Sequence, residues 1–88
     1  MIKESREKNR LLIADDSKMN REILKEILGD EYIVTEAKDG TEAIELLKKE
    51  EDSFSALILD LNMPEINGYQ VLEWMNEEYV IERIPVIV

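Results

Sequence analysis

The sequence has no cysteine, two prolines and three glycines among its 88 residues. The missing cysteine excludes a disulfide framework and thiolate chemistry. No run approaches the roughly 20 apolar residues that a membrane span requires. The stretch from Met1 to Arg10 is mainly polar and charged, with no apolar signal-peptide core. Nucleotide-binding glycine patterns, G-x-x-x-x-G-K-[ST] and G-x-G-x-x-G, are both missing. Basic residues are also scarce: 11 Lys and Arg face 21 Asp and Glu, for a formal net charge of −10. A polyanion would be repelled by such a chain, so direct nucleic-acid binding is not expected. A divalent cation or a basic protein surface suits it better, although most of the carboxylates need do no more than keep the protein soluble. These exclusions predict a cytoplasmic protein with no membrane contact.

What is present is a small globular composition, 44% hydrophobic and 36% charged, enough for one domain with little stability to spare. Leu11-Leu12-Ile13-Ala14 is a short apolar run suited to a strand buried on both faces. From Ser17 the period becomes helical, with Met19, Ile23, Leu24, Ile27 and Leu28 forming the apolar side. Ser17 reads as its N-cap and Gly29 as its stop. Tyr32 to Thr35 is β-branched and aromatic, which predicts a second strand. Asp39 and Glu42 have capping-box spacing ahead of a second helix, whose apolar side is Ala43, Ile44, Leu46 and Leu47. Ala56-Leu57-Ile58-Leu59 is another buried-strand run. Val71, Leu72, Trp74, Met75 and Tyr79 line a third helix, and Ile84 to Val88 is strand-like. The order β-α-β-α-β-α-β implies parallel pairing through right-handed crossovers.

Asp15, Asp16 and Asp60 fall at the carboxyl ends of the first and third strands. In open α/β sheets ligands collect at that edge, where the winding reverses. If those strands are neighbours, about 4.8 Å apart, their aspartates converge on one small volume. Like charges that close need compensation, and Mg²⁺ takes one or two carboxylates while keeping several waters. Adjacent side chains on a strand diverge, so Asp15 and Asp16 should differ in role. Plainer readings stand beside this one. Asp15-Asp16-Ser17 can simply cap a helix, and Asp60 and Pro64 can be turn residues.

Three segments together resemble bacterial response-regulator receiver domains. They are Asp15-Asp16-Ser17, Asp39-Gly40-Thr41-Glu42-Ala43, and Asp60-Leu61-Asn62-Met63-Pro64 with Gly68. The resemblance runs from about Arg10 to Val88, with residues 1–9 a polar lead-in. It implies a flavodoxin-like, doubly wound α/β sheet of strand order 2-1-3-4, without the family's fourth helix, fifth strand and fifth helix. It implies that Asp60 accepts a phosphoryl group from a histidine kinase, phosphotransfer protein or small acyl phosphate. Asp16 would ligate Mg²⁺ directly and Asp15 mainly through metal-bound water. Asp60 and the backbone carbonyl of Asn62 would complete the protein ligands, with Pro64 and Gly68 shaping the loop.

The family's Ser or Thr after the fourth strand and Lys at the end of the fifth fall outside these 88 residues. Val86-Ile87-Val88 is expected to be an exposed apolar edge, inviting a homo-oligomer or domain-swapped dimer. The alternative function is a pseudo-receiver working only through protein contacts; neither reading is a turnover enzyme. A dehalogenase-type phosphatase would need Asp where Asn62 stands. A calcium loop starting at Asp60 would need Gly where Glu65 stands.

Overall fold

One change of direction along the chain determines where everything lies. In the computed structural model, which describes residues 9–88, four parallel strands are ordered β2-β1-β3-β4. The strands are β1 (Asn9–Ala14), β2 (Tyr32–Ala37), β3 (Phe54–Leu59) and β4 (Val86–Ile87). Of the polar lead-in expected at 1–9, only Asn9 is among the described residues, and it opens β1. Three helices connect the strands: α1 (Lys18–Leu28), α2 (Gly40–Glu50) and α3 (Gly68–Glu77). The step from β1 to β2 runs one way across the sheet, and the steps to β3 and β4 run the other way. Right-handed crossovers therefore put α1 on one face and α2 and α3 together on the opposite face. The flavodoxin-like arrangement and its 2-1-3-4 order are those the sequence predicts.

Side chains alternate across a strand, and the core follows that alternation. Leu12, Ala14, Leu57 and Leu59 pack with Ala43, Leu47, Val71 and Met75 into one buried cluster beneath α2 and α3. Each fully buried Leu there contributes about 1.5–3 kcal/mol. Leu11 and Ile13 are buried too but lie outside that cluster. At the other end of the sheet, Arg10 ties strands to helix. It donates to Glu50 Oε1 (3.0 Å) and to Thr35 Oγ1 (3.0 Å), and lies 4.9 Å from the centroid of the Phe54 ring.

The apolar side expected for α1 is only partly its inward face: Leu24 and Leu28 turn inward, and the rest of it does not. No residue of α1 is fully buried, and Met19, Ile23 and Ile27 are exposed. The helix is instead least exposed along Arg21, Leu24 and Leu28, where Arg21 forms an ion pair with Glu36 of β2. The period located the helix correctly, and the Arg21–Glu36 pair lies beside Leu24 and Leu28 on its inward side.

Tyr79 also departs from expectation. α3 ends at Glu77, and Tyr79 turns left-handed at φ 62°. Its N–H donates to the Asn76 carbonyl (3.3 Å), closing the helix in the position glycine usually takes. The ring is 64% exposed, so it packs little. A left-handed non-glycine residue costs roughly 1–2 kcal/mol, partly offset by glycine's greater freedom when unfolded. Tyr79→Gly should therefore raise stability by about 0.5 kcal/mol, seen as a higher midpoint in urea at unchanged slope.

β4 is short and lies at the sheet edge, with Ile87 and Val88 exposed, while Ile84 just before it is buried. Among the described residues no helix is long and apolar enough to cross a membrane.

Candidate functional site

The reversal of winding leaves a crevice between the carboxyl ends of β1 and β3. Register pairs Ala14 with Leu59, so Asp15 and Asp60 leave the sheet side by side. The Asp60 N–H still donates to the Ala14 carbonyl (2.9 Å), which carries the strand pairing one residue beyond β3. Ile13, Asp15, Leu59, Asp60 and Val88 are among the residues lining an open cleft of about 340 Å³.

Asp15, Asp16 and Asp60 each bring one carboxylate oxygen to a common point, all within 4.8 Å of one another. Two trans oxygens on an octahedral Mg²⁺ at 2.0–2.1 Å lie about 4.2 Å apart. A small inward movement, or one water in place of a direct bond, would fit this set to a single ion. The donors are all hard oxygens, which suits that ion.

The three carboxylates have different surroundings. Asp15 is half-buried; its Oδ1 accepts from the Ser17 N–H (2.9 Å) and its Oδ2 from Asn20 Nδ2 (3.4 Å). Ser17 is the N-cap of α1, its hydroxyl accepting from the Asn20 N–H (3.2 Å). The capping reading and the ligand reading of this segment are therefore compatible, since Asp15 braces the helix start from the edge of the cleft. Asp16 is exposed, and its carboxylate has no hydrogen-bond partner among the described residues. Asp60 is half-buried and spends Oδ1 on the Asn62 N–H (3.0 Å), leaving Oδ2 uncommitted. That Asx-type turn holds Asn62 beside the cleft.

The loop after Asp60 is set by close contacts rather than by Pro64 alone. Met63 is buried, Pro64 is exposed, and Glu65 turns left-handed at φ 63°. Gly68 brings the start of α3 against the strand end. A Cβ there would lie 2.5 Å from the Asp60 carbonyl oxygen and 2.6 Å from Leu61 Cα. Asn67 caps α3 with a complete capping box: its Oδ1 accepts from the Gln70 N–H (3.0 Å), and Gln70 Oε1 accepts from the Asn67 N–H (2.9 Å). The Asn67…Gln70 spacing carried that signal in the sequence. At the expected box on α2, Asp39 Oδ1 accepts from the Glu42 N–H (2.8 Å). Glu42 returns to the Lys38 N–H (2.8 Å), one residue earlier than the standard motif.

An aspartate-lined cleft at the switch point of a 2-1-3-4 parallel sheet defines a narrow class of α/β domain. Residues 11–88 match the response regulator receiver domain family. A chemotaxis protein CheY homolog of Campylobacter jejuni is 41% identical over 81 residues, covering 89% of this chain and 61% of that protein. The two-component response regulator ORR5 of rice (Oryza sativa) is 35% identical over 79 residues, covering 89% of this chain and 58% of that protein. The chemotaxis response regulator CheY4 of Vibrio cholerae superposes with a TM-score of 0.82 at 28% identity, over 91% of this chain and 66% of that chain. The chain belongs to the response regulator receiver domain family and is CheY-like in fold. It spans about three-fifths of the length of these curated relatives.

Proposed function

We propose that this receiver domain accepts a phosphoryl group on Asp60 in a Mg²⁺-dependent reaction, with a histidine kinase or phosphotransfer protein as donor. The observation that carries the reading is the convergence of the Asp15, Asp16 and Asp60 oxygens within 4.8 Å at the switch point. Asp16, exposed and unpartnered among the described residues, is the direct ligand. Asp15, already bonded to Ser17 and Asn20, acts mainly through water. Asp60 and the backbone carbonyl of Asn62 supply the remaining protein oxygens.

The uncommitted Oδ2 of Asp60 is the nucleophile. It attacks phosphorus in line with the donor's leaving group; the new O–P bond forms as the donor bond breaks, and the leaving group departs with that electron pair. Oδ1 stays on the Asn62 N–H, which fixes the carboxylate plane so that Oδ2 faces the cleft. When bound, Mg²⁺ would offset charge gathering on the transferred oxygens. Asp60 is consumed rather than regenerated in the step, so the domain is an acceptor and not a turnover enzyme. The product carries about −2 of charge on the phosphoryl group where the carboxylate carried −1, enough to reorder the loop at Asn62.

Incubation with acetyl phosphate, with and without Mg²⁺, followed by intact-mass analysis, tests the reading. Gain of one phosphoryl group only with Mg²⁺ is expected. Mg²⁺ binding without any gain would favour a domain that works through protein contacts alone.

A further inference from the structure

Arg21, on the inner side of α1, is not one of the aspartate ligands, yet its bonds lead to them. Its side chain is 13% exposed and its guanidinium reaches two elements at once. Nε donates to Glu36 Oε1 on β2 (2.9 Å), and Nη1 donates to the backbone carbonyl of Asp15 (2.7 Å). The N–H of Asp15 donates in turn to the Ala37 carbonyl (3.1 Å). Both peptide groups flanking Asp15 are therefore held, one by β2 and the other by Arg21.

The second of these matters most. β1 ends at Ala14, so no strand pairing restrains the peptide that joins Asp15 to Asp16. Rotation about the bonds on either side of that peptide, Asp15 ψ or Asp16 φ, would change the direction of the Asp16 carboxylate relative to that of Asp15. We infer that Arg21 is a positioning residue for the cation site: through the Asp15 carbonyl, it holds the Asp15–Asp16 peptide in the orientation that brings both carboxylates to Asp60. This inference rests on the reading of that trio as a Mg²⁺ site.

The choice of side chains fits the task. The planar fork of arginine can make two bonds in fixed directions, whereas a lysine ammonium is a point charge on a flexible stem. Glu36 accepts the bond from Nε that steadies the fork, and Lys25 Nζ lies 3.6 Å from its other oxygen. Groups that orient a ligating residue typically contribute 10–100-fold to metal affinity.

The test is isothermal titration of Mg²⁺ into the full chain and three variants, each well below its own unfolding midpoint. Arg21→Gln should bind Mg²⁺ about tenfold more weakly. Arg21→Lys, which keeps the charge and one contact, should fall about threefold, and it gives the answer if Arg21→Gln does not fold. Glu36→Gln removes the ion-pair charge but leaves the bond to the Asp15 carbonyl, so its affinity should stay within about twofold of the parent. Unchanged Mg²⁺ affinity in both Arg21 variants overturns the inference. So does a loss in Glu36→Gln equal to that in Arg21→Gln, since a general structural role would give that result. A parent chain that binds no Mg²⁺ overturns the reading of the trio together with this inference. A parent that binds Mg²⁺ beside unaffected Arg21 variants overturns the inference alone.

Discussion

Asp60→Asn should take up no phosphoryl group from acetyl phosphate at any Mg²⁺ concentration, while folding as the parent does. The substitution removes the nucleophile, because an amide oxygen carries no full charge with which to attack phosphorus. It preserves the local structure. Asn keeps an oxygen to accept from the Asn62 N–H, the one side-chain bond Asp60 makes among the described residues. It also takes one negative charge out of a trio within 4.8 Å. The midpoint of unfolding in metal-free buffer should therefore be unchanged or slightly higher, since like charges at that distance repel. Mg²⁺ affinity should fall by an order of magnitude or more, as a ligand is lost. Intact mass and circular dichroism on one sample separate loss of chemistry from loss of fold.

Gly40→Ala should destabilise the domain by about 3 kcal/mol, the upper end for overpacking against parts that cannot move. For a domain of this size that lowers the melting temperature by roughly 12–24 °C. The sign is informative, because alanine in a helix is favoured over glycine by about 1 kcal/mol when nothing obstructs it. Here a Cβ would overlap the Ile66 carbonyl oxygen and lie 2.7 Å from Ile66 Cγ2. Gly40 opens α2 and Ile66 belongs to the loop that follows Asp60, so their close approach seats that loop. Pushing it away should also slow phosphoryl uptake. A thermal melt showing Gly40→Ala as stable as the parent, or more so, would remove this contact from the account.

The parts of the fold legible in the sequence were those governed by a repeating pattern. Leu11 to Ala14 and Ala56 to Leu59 announced buried parallel strands, and alternation with helices dictated the crossovers. The aspartates were legible for the same reason: strand ends are fixed once strands are, and neighbouring strand ends bring Asp15 and Asp60 together. Contacts between distant residues were not legible. Nothing in the local sequence ties Arg21 to Glu36 and to the Asp15 carbonyl, or Gly40 to Ile66. The apolar stripe of α1 looked like its buried face, but only Leu24 and Leu28 of it turn inward, beside Arg21. Tyr79 kept helical spacing from Met75 but fell past the helix end, because a left-handed residue at a C-terminus needs no distinctive side chain. The Asn67–Gln70 capping box was visible in principle, beside a loop whose Pro64 and Gly68 drew the stronger reading.

The most direct test of the central claim is to locate the label. After incubation with acetyl phosphate and Mg²⁺, borohydride reduction converts an aspartyl phosphate to homoserine, which peptide mass spectrometry can place. The account predicts homoserine at position 60 and nowhere else, dependent on Mg²⁺. Homoserine at Asp15 or Asp16, or a label that forms equally without Mg²⁺, would contradict it.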